Sequence, residues 1–179
     1  NSYGKVHYSP HSYNNKYGVP ISVSNLKENT DYGIFEVGMD KKGEIEKLSK
    51  IIKPEIAVIT NISEAHIKNF KNLKGIANAK SEIINNILED GFLILNKDDK
   101  FFRFFYNKAK RKKIRTISFS FNKKADIFLT EVKKSKNYYK LKISVMGKFF
   151  YFYSISQNQN FIYNILACVC TLYLLKLDL

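Results

Sequence analysis

The sequence predicts an α/β protein with a doubly wound, mostly parallel sheet flanked by helices and a small three-stranded antiparallel appendage. Two observations predict this class. As far as about Phe119, short apolar runs alternate with helical patterns, as in parallel strands joined by helices. Beyond that point, three segments of period-2 hydrophobicity are joined by short polar turns, which is typical of an antiparallel meander. At 179 residues the chain is long enough for one domain with a full core.

The first half of the chain supplies two apolar runs and the helix between them. Residues 33–37 and 56–60 are apolar and bounded by turn signals, as buried parallel strands are. Between them, apolar residues recur at helical spacing over 44–52, and Pro54 ends that helix. A short strand over 5–9 and a short helix over 21–26 are predicted before them.

The second half continues the alternation and then changes period. A helix is predicted over 73–88, with Ile76, Ile83, Ile84 and Leu88 facing inward and Gly91 after it. The remaining predictions are a strand over 92–95, an amphipathic helix over 100–113, a strand over 114–119, meander strands over 127–132, 138–145 and 149–155, and a closing helix over 160–177.

The closing helix is the most apolar part of the chain. Its apolar run over 161–175 is interrupted by Asn164 and is shorter than the roughly 20 residues that a membrane span needs. It is therefore predicted to be a buried helix, and no membrane association is expected. Residues 1–10 are polar and contain no apolar core of a signal peptide.

The charge and the cysteines narrow the class of protein. A net charge of +14 suits nucleic acid or an anionic small substrate, but only three of the thirty basic residues are arginine, the better reader of phosphates and bases. No nucleic-acid partner is therefore expected, although a non-catalytic basic module remains the alternative of another class. Cys168 and Cys170 face different ways on a helix, so they suit neither a disulfide nor a metal pair. A reduced, cytoplasmic compartment is predicted.

Two potential metal ligands follow the apolar runs. Glu36 comes at the end of the first run and His66 shortly after the second. Because ligands bind outside the carboxyl ends of parallel strands, these two side chains are expected to converge on one crevice. A carboxylate and an imidazole are compatible with a divalent cation, although a solvent-exposed Glu36 and a surface or capping His66 remain open alternatives.

Two further side chains have both a functional and an ordinary interpretation. Lys80 lies on a predicted helix, where a solvated lysine is common. Asn164 lies in an apolar helix, where its amide could read an adenine edge or be satisfied by neighbouring backbone in the core. No phosphate-binding G-x-x-x-x-G-K-[ST] motif occurs, since Val6 follows Gly4-Lys5.

An ordered series of short motifs spans nearly the whole chain, and it resembles the central domain of the Mur ligases. These are ATP-dependent enzymes that form amide bonds in peptidoglycan precursor synthesis. The matching residues are Asn14-Asn15-x-x-Gly18-Val19-Pro20, Glu36-Val37-Gly38, Gly43-Glu44-Ile45, Lys53-Pro54, Thr60-Asn61-Ile62, Ala65-His66, Ile76-Ala77, Lys80, Glu82-Ile83, Leu95-Asn96, Asp98-Asp99, Asn160 and Asn164.

The resemblance implies an activity and its substrates. Glu-x-Gly followed by Gly-Glu-Ile favours the member that adds D-alanyl-D-alanine to UDP-N-acetylmuramoyl-tripeptide through an acyl phosphate. The implied cofactors are ATP and Mg²⁺, and a cytoplasmic monomer is expected. Residues 1–179 would be an incomplete central domain, with the phosphate-binding loop and an N-terminal uridine-nucleotide domain before it and a C-terminal domain after it. Such a fragment alone is expected to be inactive.

The resemblance also implies roles for individual residues. Glu36, His66 and Lys80 would hold magnesium, with Lys80 as the family's carbamoylated lysine and with Lys80 and His66 as catalytic residues. The nucleotide would be contacted by Asn61, Asn160 and Asn164, and the muramyl peptide by Asn14 and Asn15.

The chain departs from the family pattern in three places. The family's Gly-x-His-Asn before the last helix is replaced by Gln157-Asn158-Gln159-Asn160, Ser63 replaces the usual glycine, and Lys68 replaces a common acidic residue. The alternatives within the ligase class are another Mur ligase or an enzyme similar to folylpolyglutamate synthase.

Overall fold

The computed structural model describes residues 3–64 and 67–179. Its internal contacts divide the chain into two compact units, one of residues 1–55 and 62–89 and the other of residues 56–61 and 90–179. The first unit carries most of the predicted metal-binding and peptide-binding residues. The second unit carries the main sheet and the asparagines predicted to contact the nucleotide.

The first unit combines a small sheet with a group of short helices. Its two strands, β1 (Val6–Tyr8) and β2 (Tyr32–Ile34), pair in parallel. Its helices are α1 (Gly18–Ser24), α2 (Glu44–Ile52), α3 (Ile67–Phe70) and α4 (Leu73–Lys80), and a 3-10 helix (Ser81–Asn86) follows α4 directly. Buried apolar side chains from three of these helices form its core, namely Val19, Ile45, Leu48, Ile76 and Ala77.

The strand β2 corrects the prediction for the first apolar run. It was expected to be a buried strand of the main sheet over 33–37, but it is three residues long and pairs only with β1. Ile34 is 60% exposed. The strand that precedes His66 in the chain lies in the other sheet, so the two runs do not end at one sheet edge. The reason is non-local, because the hydrogen-bond partner of β2 lies some 26 residues earlier in the chain.

The helix predicted over 73–88 is also corrected. The α-helix ends at Lys80, and the chain continues as a 3-10 helix to Asn86. Ile76 and Ile84 are buried as predicted, but Leu88 is 41% exposed. Leu88 lies two residues beyond the end of the 3-10 helix and follows an extended residue, Ile87, so the helical spacing on which its prediction depends no longer applies.

The second unit is built on one six-stranded sheet. The strands lie in the order β3 (Ile56–Ile59), β4 (Phe92–Asn96), β5 (Arg115–Ser120), β6 (Ile127–Lys134), β7 (Tyr139–Val145) and β8 (Lys148–Ser154). The pairs from β3 to β6 are parallel, and the last two pairs are antiparallel. The predicted α/β class with a mostly parallel sheet is confirmed. The meander is a continuation of that sheet rather than an appendage, because β6 pairs with β5 at two positions.

Two helices pack on this sheet. Helix α6 (Gln159–Leu174) shares a buried cluster with Ile94 and Phe119. Helix α5 (Phe102–Arg111) packs on β4 and β5 through Phe105. Successive residues of a strand point to opposite faces of the sheet. Helix α6 covers the face of Ile94, so helix α5 covers the opposite face, to which Leu93 and Leu95 belong. The sheet is therefore flanked by helices.

Helix α6 is buried on one face only, which corrects its prediction as a buried helix. Ile162 and Leu166 are fully buried, whereas Phe161 is 40% exposed and Asn164 also lies on the exposed side. Both cysteines are free as predicted, and Cys168 is exposed while Cys170 is buried. Among the helices of the described residues, none has the length and apolarity to span a membrane.

Candidate functional site

Glu36 lies two residues beyond β2, and Asn14 holds it there. The side-chain amide Nδ2 of Asn14 donates a hydrogen bond of 2.8 Å to Glu36 Oε1. The backbone carbonyl of the same asparagine accepts a 2.7 Å hydrogen bond from the amide of Gly38. Glu36 is exposed, which agrees with a carboxylate that reaches solvent at a strand end. The structure therefore brings together two residues predicted for the site, one as a metal ligand and the other as a peptide contact.

Gly38 allows this close approach. A Cβ at this position would lie 3.0 Å from Asn14 Cγ and 3.1 Å from its Oδ1. These distances are shorter than ordinary carbon contacts, so a larger residue would require the asparagine side chain to shift by a few tenths of an ångström. The Glu-x-Gly pattern thus has a steric reason in this chain.

Asn15 has a local role at the start of α1. Its Oδ1 accepts 3.0 Å hydrogen bonds from the amides of Tyr17 and Gly18. A polar side chain that satisfies free amides at the beginning of a helix stabilises that helix. Asn15 therefore fixes the turn that presents Asn14, and its predicted contact with the muramyl peptide stays a prediction.

The loop after Gly38 leads into α2 and is held by two carboxylates. Glu44 Oε2 accepts hydrogen bonds from the amides of Asp40 at 2.6 Å and Lys41 at 3.0 Å. These two amides, in that order, are the main causes that lower the pKa of Glu44 below its usual 4.5. The second carboxylate is Glu82, which is only 8% exposed and accepts the amide of Gly43 at 2.8 and 3.0 Å on its two oxygens.

Glu82 was quoted in the family pattern but was not predicted as a site residue. Its oxygen Oε2 also accepts the amide of Glu46 at 3.2 Å. The available signal was a carboxylate among apolar residues two positions after Lys80, because a buried carboxylate requires partners. Its partners lie 36 and 39 positions away in the chain and could not be identified without the fold.

Lys80 is the last residue of α4 and the point where the 3-10 helix starts. Its side chain is half-buried. His66 lies outside the described residues, so its predicted roles stay predictions. Within residues 3–64 and 67–179, no group of three or more histidine, cysteine, aspartate or glutamate side chains could hold a metal ion.

The carboxylate of Glu36 is nevertheless a suitable ligand for Mg²⁺, the ion that the family resemblance implies. Mg²⁺ prefers oxygen ligands, keeps several waters and is usually bound by one or two carboxylates together with substrate phosphates. An exposed carboxylate whose orientation is fixed by one hydrogen bond meets that requirement. A closed cage of several protein ligands is not needed.

The predicted nucleotide contacts all lie in the second unit. Asn61 is half-buried just beyond β3. Asn160 and Asn164 are exposed and lie four residues apart on α6, so they share one side of that helix. The alternative in which the core satisfies the amide of Asn164 is wrong, because the residue is exposed. Its predicted contact with adenine is untested.

A hydrogen-bond centre fixes α6 to the carboxyl ends of β4 and β5. Asp98 accepts hydrogen bonds from Ser120 Oγ at 2.9 Å, from the amide of Phe121 at 2.6 Å and from the hydroxyl of Tyr163 at 3.1 Å. Burial first, and then the charge of Asp98, raise the pKa of Tyr163 above its usual 10.0. Because Tyr163 directly precedes Asn164 on α6, these hydrogen bonds also help to fix the position of Asn164.

A cavity of about 570 Å³ adjoins Asp98 in the second unit. Basic side chains from two loops and one helix line it together with Asp98, Asp99 and Phe102, namely Lys97, Lys100, Arg103 and Lys123. Lys97 is anchored there through a 2.8 Å hydrogen bond from its ammonium group to the carbonyl of Lys124.

Comparison with known proteins identifies similar chains. The family model for the Mur ligase middle domain matches residues 1–172. The UDP-N-acetylmuramoyl-tripeptide–D-alanyl-D-alanine ligase of Bacillus subtilis is 45% identical over 95 residues, which are 53% of this chain and 21% of the relative. The ligase of the same name from Buchnera aphidicola is 38% identical over 130 residues, which are 73% of this chain and 28% of the relative.

Solved structures agree with these sequence matches. A crystal structure of MurF from Acinetobacter baumannii superimposes with a TM-score of 0.90 at 28% identity and covers 98% of this chain. This chain spans 38% of that structure's length and less than a third of each of the two sequence relatives. On the family match over nearly its whole length, the chain belongs to the Mur ligase family.

Proposed function

We propose that this chain is the ATP-using middle domain of a ligase that joins D-alanyl-D-alanine to UDP-N-acetylmuramoyl-tripeptide. The proposal rests on two sequence relatives that are named for that ligase activity and to which this chain is 45% and 38% identical over the matched residues. The observation that carries it in the geometry is the hydrogen bond between Asn14 and Glu36. In the proposed arrangement the chain lies between an N-terminal uridine-nucleotide domain and a C-terminal domain of a longer cytoplasmic monomer.

The proposed reaction has two steps. An oxygen of the tripeptide's terminal carboxylate attacks the γ-phosphorus of ATP, a new P–O bond forms, and the bond to ADP breaks. The amine of D-alanyl-D-alanine then attacks the acyl carbon, a C–N bond forms, and the tetrahedral intermediate expels phosphate. The amine proton leaves to solvent. Positioning and charge compensation are the main tasks of the protein in such a transfer.

The first unit would supply the charge compensation. Glu36, His66 and Lys80 would hold Mg²⁺, which neutralises charge on the transferred phosphoryl group when it is bound. Lys80 would act as a carbamate: its neutral amine attacks CO2, an N–C bond forms, a proton leaves to solvent, and the side chain becomes an anion. Asn14 holds Glu36 through its side-chain hydrogen bond and, with Asn15, would lie on the muramyl-peptide side.

The second unit would bind the nucleotide. Asn61, Asn160 and Asn164 are proposed to contact ATP, with Asn164 facing the adenine through its amide donor and acceptor. The exposure of Asn160 and Asn164 on one side of α6 supports this proposal, because a ligand can reach both side chains. We propose neither a nucleic-acid nor a membrane partner for this chain.

Competition between amine substrates tests the proposed function. The full-length protein that carries this chain is supplied with ATP, Mg²⁺ and the UDP-linked acceptor, and the products are separated by mass. We expect D-alanyl-D-alanine to be incorporated in strong preference to diaminopimelate or glutamate. Preferred incorporation of diaminopimelate or glutamate would mean a sibling ligase, and no ATP-dependent product with any amine would contradict the ligase assignment.

A further inference from the structure

We propose that Glu82 is a positioning residue that sets the place of Lys80 relative to the loop following Glu36. The inference rests on the proposed function, because it concerns the two residues assigned there to the metal site. Three hydrogen bonds from backbone amides and the burial of the Glu82 carboxylate carry it.

The first observation is how completely the carboxylate is engaged. Its two oxygens accept the amide of Gly43 at 2.8 and 3.0 Å, and one of them also accepts the amide of Glu46 at 3.2 Å. The amide of Gly43 directly precedes α2 and that of Glu46 belongs to its first turn, where free N–H groups and the helix dipole favour a negative charge. A carboxylate that is 8% exposed requires such compensation to be buried at all.

The second observation is where this carboxylate sits in the chain. Glu82 is the second residue of the 3-10 helix, and Lys80 directly precedes that helix. A 3-10 helix rises about 2 Å per residue, so the two residues are about 4 Å apart along its axis. A displacement of Glu82 should therefore also displace the backbone of Lys80.

The third observation is what lies at the other end of the contact. Gly43 has a φ of +86° and directly precedes α2, and only the loop from Met39 to Lys42 separates it from Gly38. Gly38 in turn is bonded to the carbonyl of Asn14, whose side chain holds Glu36. A continuous series of short hydrogen bonds and backbone segments thus connects Glu82 with the carboxylate of Glu36.

The far end of the 3-10 helix is attached independently. Asn86 Nδ2 donates to Ser49 Oγ at 2.9 Å and to the carbonyl of Glu46 at 3.0 Å. Asn85 Nδ2 donates to Glu46 Oε2 at 2.6 Å. Loss of the Glu82 contacts should therefore release the Lys80 end of the 3-10 helix while its other end stays on α2.

Glu44 provides a matched control in the same structure. It is also a carboxylate at the beginning of α2 and also accepts two backbone amides, from Asp40 and Lys41. It differs in belonging to α2 itself rather than to the segment of Lys80. A role of Glu82 that is limited to stabilising α2 would be shared by Glu44, whereas a positioning role would not.

The test compares Glu82→Gln with Glu44→Gln in the full-length protein. The Glu82→Gln substitution would place an NH2 donor against backbone N–H groups, so at least one hydrogen bond is lost. Folded protein is equilibrated with ¹³C-labelled bicarbonate, and the carbamate signal that Lys80→Ala abolishes is measured by NMR. Thermal denaturation of each variant is recorded separately. We expect Glu82→Gln to need about tenfold more bicarbonate for half-maximal signal, and Glu44→Gln to stay within about twofold of wild type.

Each outcome decides a different question. An unchanged bicarbonate requirement in folded Glu82→Gln, or an equal increase in Glu44→Gln, overturns the inference while leaving the proposed function intact. A wild-type protein without any Lys80-dependent signal overturns the proposed carbamate and the inference with it. Where Glu82→Gln unfolds, Glu82→Asp takes its place, since it keeps the charge and shortens the side chain by one methylene. Its bicarbonate requirement must then exceed that of Glu44→Gln, and equality overturns the inference.

Discussion

The side-chain amide of Asn14 lies 2.8 Å from Oε1 of Glu36, and the backbone of Asn14 accepts the amide of Gly38 two residues further along. One asparagine thus holds the segment after β2 at two points. The absence of a side chain at Gly38 leaves just enough room for this arrangement. Orientation of the Glu36 carboxylate is therefore a property of three residues together.

Gly38→Ala should destabilise the protein by about 1 kcal/mol, because its new Cβ would lie 3.0 Å from Asn14 Cγ and the Asn14 side chain would have to shift. Urea denaturation measures the change in the free energy of unfolding. In the double variant with Asn14→Gly the Asn14 side chain is absent, so the new Cβ meets no close contact. The loss in the free energy of unfolding should therefore be less than the sum of the two single losses. Strict additivity of the two substitutions would show that the strain lies elsewhere.

Asn14→Ala should raise the Mg²⁺ concentration needed for half-maximal phosphate release by the full-length protein several-fold. The reason is that Glu36 loses the hydrogen bond that fixes one of its oxygens, and an exposed hydrogen bond of this kind contributes about 0.5–1.5 kcal/mol. Asn107→Ala, at an exposed asparagine of α5, is the control and should behave as wild type. An unchanged Mg²⁺ requirement in Asn14→Ala would mean that Asn14 does not support the proposed metal site.

Stability at alkaline pH should depend on Tyr163. Its pKa in the folded protein is raised above 10.0 by burial and by Asp98, so the folded state holds the phenol proton more tightly than the unfolded state. This contribution is complete below about pH 10 and is lost as the pH rises through the folded-state pKa. Tyr163→Phe should reduce the fall in stability above pH 10, as followed by urea denaturation at several pH values. An identical alkaline slope in the variant would contradict the assignment.

The two thiols should differ in reactivity. Cys168 is exposed and Cys170 is buried, and burial raises the pKa of both thiols, most strongly that of Cys170. A thiol reagent should therefore modify one equivalent per chain slowly under native conditions and two after unfolding. Cys168→Ser should abolish the native reaction. Rapid labelling of two thiols in the native protein would mean that α6 does not pack on the sheet as described.

The sequence predicted the elements whose signals are local. The apolar spacing and Pro54 placed α2 at its observed bounds, and strand after strand of the main sheet was placed to within a few residues. The fold class followed from the alternation of strands and helices as far as Phe119, and the antiparallel strands from the change in hydrophobic period beyond it.

The predictions that were wrong or missed share a physical cause. Each concerns a feature that is set by contacts with distant parts of the chain. The partner of β2 is β1 rather than the main sheet, and no local signal in the residues of β2 specifies this pairing. The side of α6 on which Asn164 lies is set by where the sheet packs. The role of Glu82 could not be predicted either, because its hydrogen-bond partners Gly43 and Glu46 are distant in the chain and are brought to it by the fold.

The acyl-phosphate route is tested most directly by following an oxygen atom. The UDP-linked tripeptide is prepared with ¹⁸O in its terminal carboxylate and incubated with the full-length protein, ATP, Mg²⁺ and D-alanyl-D-alanine. An acyl phosphate carries one carboxylate oxygen to phosphorus, so the proposed reaction predicts inorganic phosphate that contains ¹⁸O for each amide bond formed. Phosphate without ¹⁸O, released while the amide product forms, would contradict the proposed chemistry.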